Sequence, residues 1–498
     1  MQGRRRTDVN VILVISDTLR RDHLGCYGNS WISTPNIDRL AAESVAFDNY
    51  YVGSYATVPV RYEILTGRHV FTYSAGWAPL PADELVLAQV LGQAGVASMM
   101  IVDTPHILKD GFGYDRGFSA WRWLRGQETD RLRLAPLQVT LPCAPQKLRN
   151  PHTNTTQYLR NVATRRGEAD YFAPQTFGAA MDWLEDNYGR GRNDAPSADA
   201  APLPDRAEDP SRPFFLYVDT FDPHEPWDPP QHYVDLYDPG YQGEEVIYPA
   251  YAAAGFMTEA EERHARALYA GEVTMVDRWL GKLLQRVDDL GLRETTAVLF
   301  VADHGFFHGE HGWWGKGRAP FYDVLNHIPF LARIPGVAGG RRNADFVQPV
   351  DLMPTILELA GVTTPATCQG SSLVPLLRGE TPSGWRDTAV SSTCFGSPGQ
   401  RRQPGSSTLV TPEWTYLYLG GVGVAELYAA RTDPHQQHNL APERPEVVQQ
   451  LHGQLLTQLE ARATPDVHLE SRRAVPHPAP QPGLWIGPQG KDPSAQLL

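Results

Sequence analysis

The chain has 498 residues, 42% of them apolar and 20% charged, with 44 Lys+Arg against 57 Asp+Glu and a formal net charge of −13. A chain of this length buries a large core and spans more than one small domain, which excludes disulfide-stapled miniproteins, collagen-like repeats and wholly disordered chains. The acidic balance, with no basic run beyond Arg4, Arg5 and Arg6, excludes a nucleic-acid coat and leaves room for a local basic pocket.

Residues 9–15 are apolar and β-branched at nearly every position, as in a central parallel strand buried on both faces. The run is too short for a membrane span, lacks a small-residue cleavage site and ends at Asp17, so a cytoplasmic protein is expected. Residues 97–102, 214–218 and 297–301 read as further strands of the same kind. Helical recurrence covers 37–44, 84–94, 177–187 and 260–290. Alternation of this sort predicts a doubly wound α/β sheet. Residues 189–212 are rich in Pro, Asp, Ala and Gly and read as a flexible loop. Beyond a boundary near 370–384, short strands at 408–410 and 414–419 precede a helix at 446–461. The expected division is a catalytic α/β domain over 1–375, a C-terminal α+β subdomain over 376–463, and a Pro-rich extended tail over 464–498. The four cysteines, Cys26, Cys143, Cys368 and Cys394, have no CxxC spacing and suggest neither a zinc knuckle nor a disulfide framework.

Each strand runs into polar groups, and ligands of open α/β sheets bind outside the carboxyl ends of strands. Asp17 is either a helix cap or a metal carboxylate. Asp303-His304-Gly305 sets a carboxylate and an imidazole side by side, able to share one cation, unless His304 is a satisfied core histidine. Thr57-x-Pro59-x-Arg61, followed by Leu65-Thr66-Gly67-Arg68, puts a hydroxyl at a helix start with a cation one turn on. Local features alone favour Thr57 as a cap. His224 sits in the stiff loop Asp222-Pro223-His224-Glu225-Pro226. His308, His311 and Lys316 lie within thirteen residues of Asp303, where they suit anion binding and leaving-group protonation or simple surface solvation. Tyr73, Trp77, Trp121, Trp123, Trp313 and Trp314 flank these motifs as pocket walls or as ordinary packing.

In this order the motifs resemble the sulfatase family of the alkaline phosphatase superfamily, over roughly residues 8–460. The segments that carry the likeness are 15–28, Thr34-Pro35-Asn36-Ile37-Asp38-Arg39-Leu40, Thr57-x-Pro59-x-Arg61, Asp222-Pro223-His224-x-Pro226, Asp303-His304-Gly305 with Gly309-Glu310-His311-Gly312 and Lys316, Asp351-Leu352-Met353-Pro354, and Glu426-Leu427-Tyr428 through Asn439-Leu440. The resemblance implies a large mixed, mainly parallel sheet sandwiched by helices, plus a smaller C-terminal domain with an antiparallel sheet. It also implies a divalent cation held by Asp17, Asp303 and His304 beside a Thr57 nucleophile. Arg61 would orient that nucleophile, His224 and Lys316 would bind the substrate oxyanion, and His311 would help the leaving group depart. His106 and Thr104 would meet the substrate, although Asp103-Thr104-Pro105-His106 stands where the family has a lysine-containing segment.

Two departures bear on function. Family sulfatases convert a Cys or Ser at the position of Thr57 to formylglycine, and a threonine, with its extra methyl, cannot yield that aldehyde. Ser16 stands where many members have another acidic ligand, which favours Mn²⁺ or Zn²⁺ over Ca²⁺ or Mg²⁺. A second ion on Asp222, His224 and His311 finds no regular ligand spacing. The expectation is a metal-dependent hydrolase of phosphate diesters or phosphonate and phosphate esters acting on a small anionic substrate. The alternatives are an arylsulfatase-like sulfuric ester hydrolase and an inactive homologue that binds an anion or a partner. A Pro-rich tail would also suit a homo-oligomer.

Overall fold

The computed structural model describes residues 9–189, 213–316, 321–396 and 405–479. Its centre is an eight-stranded sheet built from β1 (Asn10–Ser16), β2 (Val45–Tyr50), β3 (Ala97–Val102), β4 (Ala120–Trp123), β5 (Phe214–Thr220), β6 (Thr296–Ala302), β7 (Phe330–Arg333) and β8 (Arg341–Val347). The strand order is β8-β2-β7-β6-β1-β5-β3-β4. Only β7 runs antiparallel to its neighbours, β2 and β6; the other pairings are parallel. The sheet is therefore mixed and mainly parallel, and β1, β5 and β6 are apolar on successive residues because both of their faces are covered.

Of helices α1 (Pro35–Ala42), α2 (Thr57–Thr66), α3 (Phe172–Tyr188), α4 (Glu259–Asp289) and α5 (Leu352–Leu359), α1, α3 and α5 pack on this sheet, α4 packs on α1 and α3, and α2 packs on α5. Helix α4 opens on a capping box in which Thr258 accepts the Glu261 N–H at 3.3 Å. Helix α2 is buried along all ten residues.

The second sheet consists of β9 (Ala389–Thr393), β10 (Ser406–Val410), β11 (Trp414–Leu419) and β12 (Val424–Ala429), an antiparallel meander. Helix α6 (Pro445–Ala461) seats Val448, Leu451, Leu455 and Leu459 against Leu409, Tyr416 and Leu427. The two-residue strand Ser54–Tyr55 adds in parallel to β9, so the C-terminal sheet holds the segment that leads into α2.

The expected tail is corrected in its first part. Residues 464–479 fold back: Asp466–Glu470 is helical, and His477–Pro478 pairs in parallel with β12. His468 and Leu469 are buried, and the buried Arg472 guanidinium lies 3.6 Å from the Phe395 ring. These side chains give a Pro-rich segment a face to dock. Residues 480–498, and all of the expected 189–212 loop except Gly189, lie outside the described residues. No described helix is long and apolar enough to cross a membrane.

Candidate active site

Parallel register brings the chemistry to one edge. Ser16 of β1 pairs with Thr220 of β5 and Ala302 of β6, and Val102 of β3 pairs with Asp219. The residues that follow, Asp17, Asp103, Asp222 and Asp303, therefore leave the sheet at its carboxyl end. Asp17 caps no helix. Its Oδ1 accepts the Thr18 hydroxyl at 2.7 Å, and the Thr18 N–H donates to Asp303 Oδ1 at 2.9 Å. Thr18 takes a left-handed φ of 64°, which turns the chain across the strand ends.

Asp17, Asp303 and His304 are fully buried and present ligand atoms within 4.8 Å of one another. Asp17 Oδ2 has no hydrogen-bond partner; it lies 3.2 Å from Arg61 Nη2 as an ion contact. His304 Nδ1 faces the Gly305 carbonyl at 3.0 Å, so Nδ1 carries the hydrogen and Nε2 presents its lone pair. Burial holds His304 down at about 3 despite the neighbouring Asp303 charge, so the imidazole stays neutral as a metal ligand must be. Burial acts to raise Asp303, but the Arg61 charge, the Thr18 N–H hydrogen bond and the Lys316 charge prevail and keep it ionised. Burial and Asp303 both push Asp17 well up. An added cation would reverse that cost, and an orphaned carboxylate oxygen beside an imidazole lone pair fits a divalent ion. Gly305 is required here, because a Cβ would stand 1.9 Å from the Val324 carbonyl oxygen.

Thr57 is the first residue of α2, and its hydroxyl makes no helix cap. Oγ1 instead lies 3.1 Å from His304 Nε2. One turn on, Arg61 is clamped by Asp219 through Nε at 3.0 Å and Nη2 at 2.8 Å, and its Nη1 donates to Asp303. Lys316 Nζ donates to Thr18 Oγ1 at 2.8 Å and lies 3.9 Å from Asp17 and 3.8 Å from Glu225. Glu225 also lies 3.6 Å from Arg149 Nη1, so Asp17, Asp219, Asp303 and Glu225 face three permanent cations, Arg61, Lys316 and Arg149, and an excess of negative charge remains to attract a cation.

The other expected residues are placed less directly. His224 stacks on Phe221 with ring centroids 3.8 Å apart, and its Nδ1 donates to the Glu225 carbonyl. Burial and Lys316 hold it well down, so it is neutral and its Nε2 carries a lone pair; it accepts a proton or an N–H rather than donating to an oxyanion. His106 Nε2 sits 2.8 Å from Glu128 Oε2 under the exposed Trp77, whose ring centroid is 4.9 Å away. Thr104 lies behind Arg61, with its hydroxyl donating to Asp219 Oδ1 at 2.9 Å. His311 stacks on Tyr322 at 3.7 Å, and its ring contacts are with Tyr322 and Phe307. His308 is buried among Trp227, Tyr269, Phe306 and Trp314. Trp313 and Trp314 are core residues. Sequence reasoning passed over Asp219, Thr18 and Glu225. The signals were present: Asp219 follows the apolar 214–218 run directly, and Thr18 and Glu225 adjoin Asp17 and His224.

Comparison with known proteins gives the family. The Sulfatase family model matches residues 9–362, and the model for the C-terminal part of N-sulphoglucosamine sulphohydrolase matches 309–462. The chain is 27% identical over 496 residues to an arylsulfatase of Clostridium perfringens, covering 91% of this chain and 95% of that one. It is 26% identical over 500 residues to the multifunctional alkaline phosphatase superfamily protein PehA of Trinickia caryophylli, covering 87% and 91%. The solved phosphonate monoester hydrolase of Agrobacterium radiobacter shares the fold, with a TM-score of 0.70 at 22% identity over 91% of this chain and 96% of that one. The chain belongs to the sulfatase family within the alkaline phosphatase superfamily.

Proposed function

We propose that this chain is a metal-assisted hydrolase of anionic esters, with Thr57 as nucleophile and Asp17, Asp303 and His304 as ligands of a divalent cation. One observation carries the reading: the Thr57 hydroxyl, free of any capping duty, meets His304 Nε2 at 3.1 Å inside a buried group of two carboxylates and an imidazole. The bound ion would lower the pKa of the hydroxyl and offset charge on the substrate. Arg61 fixes the carboxylates from the side away from solvent. Lys316 supplies positive charge for the substrate's oxygens, while the neutral His224 offers a lone pair that can take up a proton. Thr57 Oγ1 forms a bond to the central atom as the bond to the leaving oxygen breaks; the proton lost by the Thr57 hydroxyl is matched by one taken up, by way of solvent, on the leaving oxygen, which departs as a hydroxyl compound. Water then cleaves the Thr57 ester and restores the hydroxyl.

The ester class follows from Thr57. Taken as the counterpart of the family's modified residue, it lacks the second hydroxyl that expels sulfate by C–O cleavage, so its ester must be opened at the central atom. Phosphorus accepts in-line attack more readily than a sulfate sulfur does, which supports phosphate diesters or phosphonates. A sulfuric ester is the second reading, and the comparisons favour it: the likeness to an arylsulfatase covers more of both chains than the likeness to PehA. Turnover of matched 4-nitrophenyl sulfate, phosphate, phosphate diester and phenylphosphonate, with Mn²⁺, Zn²⁺, Ca²⁺ or chelator, separates the two. The expected result is metal-dependent turnover of the diester or phosphonate that is lost in Thr57→Ala. Preference for the sulfate would establish the second reading, and turnover unaffected by Thr57→Ala would overturn both.

A further inference from the structure

A second polar chamber lies on the opposite face of the sheet from Arg61, under α3 and α4. Parallel register sets it up. Asp103 follows the pair Val102–Asp219, and its N–H donates to the Asp219 carbonyl at 3.2 Å, so Asp103 stands beside Thr220. Strand alternation then points both residues away from Asp219 and its Arg61 partner. Asp222 closes the chamber, with Oδ2 accepting the Ala173 N–H at 3.0 Å and Oδ1 accepting the Gln127 amide at 2.9 Å. Glu272 of α4 comes from the other side, its Oε1 accepting the Asp228 N–H at 3.0 Å.

The chamber is short of donors. Asp103 Oδ2, Gln127 Oε1, Thr220 Oγ1 and Glu272 Oε2 are buried without a hydrogen-bond partner, and each belongs to a residue no more than 2% exposed. Gln127 is anchored by its amide nitrogen, which donates to Asp222, and its Oε1 is left without a partner. Asp103, Asp222, Asp228 and Glu272 face one cation, Arg165, which both Asp228 oxygens hold at 2.9 Å. Burial drives Asp222 up to about 6 and Glu272 well up, with Asp222 adding to the cost at Glu272. One proton shared between two carboxyl groups would satisfy two oxygens and leave the glutamine and glutamate acceptors bare. Uncompensated negative charge and an all-oxygen donor set match a hard cation.

We infer that Asp103, Asp222, Gln127 and Thr220, with Glu272 at the rim, form a second cation site for a hard, oxygen-preferring divalent ion such as Ca²⁺. It is separate from the Asp17–Asp303–His304 group and takes no part in ester cleavage. Its ion would brace the 221–226 turn that carries His224 and Glu225.

The test is equilibrium dialysis of full-length protein with radioactive Ca²⁺, in an Asp17→Asn background that disables the other group. One equivalent of Ca²⁺ is expected in Asp17→Asn, and none once Asp103→Asn is added. Thr220→Val, close to isosteric, should weaken binding by roughly tenfold or more, and it carries the test if the Asp103 variant does not fold. A Ca²⁺-dependent rise in Tm should accompany binding and vanish with it. Absence of Ca²⁺ from Asp17→Asn, or equal binding with and without Asp103→Asn and Thr220→Val, would overturn the site and leave the oxygens to water or a shared proton.

Discussion

Arg61 is where sequence and site meet most closely. Burial works against its charge, and Asp219, Asp303 and Asp17 more than restore it. The bidentate clamp from Asp219 uses the planar fork of a guanidinium, so Arg61→Lys is not conservative here. Removing the cation leaves three buried carboxylates facing one another. Arg61→Ala should cost on the order of 3–5 kcal/mol in denaturant unfolding, and Asp219→Asn, which leaves Asp303 and Asp17 in place, should cost less. A loss within about 1 kcal/mol for Arg61→Ala would place the group in the range of surface pairs and contradict this account. The sequence announces Arg61 through its spacing from Thr57, but Asp219 is hidden at the end of an apolar run. Thr18 is hidden differently: beside Asp17 it reads as the start of a helix, whereas its positive φ makes it a bridge between Lys316 and two carboxylates.

At the scale of elements, legibility follows burial pattern. The strand at 97–102 is read to the residue, and the 260–290 pattern falls within one residue of α4 at each end, because both have one unambiguous period. The tail at 464–479 misleads because its prolines outweigh a few docking side chains. Helix α2 has no apolar face to detect, since every residue is buried, and motif spacing alone marks its start. It also carries one acid, Glu63, inward. Glu63 accepts the Ser54 hydroxyl at 2.6 Å on Oε1, while Oε2 has no partner. Burial pushes Glu63 up to about 7 against the Ser54 hydrogen bond. The folded chain therefore keeps this proton at pH values where the unfolded chain has released it, and stability falls as pH rises from about 4.5 to about 7. Glu63→Gln should raise Tm relative to the parent at pH 8 and not at pH 4.5. An equal effect at both pH values would show that Glu63 does not titrate in this window.

Across the whole molecule, the C-terminal sheet is tied to the catalytic edge by chain connectivity. Ser54–Tyr55 pairs with β9 and leads, after one residue, to Thr57, so β9–β12 position the helix that Thr57 opens from outside the central sheet. The family likeness, the mixed sheet and the aligned strand ends explain how distant segments converge on one hydroxyl. The same segments raise a single question of chemistry, which is whether that hydroxyl becomes esterified. The direct measurement is peptide mapping by mass spectrometry after acid quench of wild-type enzyme turning over 4-nitrophenyl phenylphosphonate or the sulfate. A phosphonyl or sulfuryl group on Thr57, absent without divalent metal, is the result this account requires. Turnover with no adduct on Thr57, or an adduct on another side chain, would contradict it.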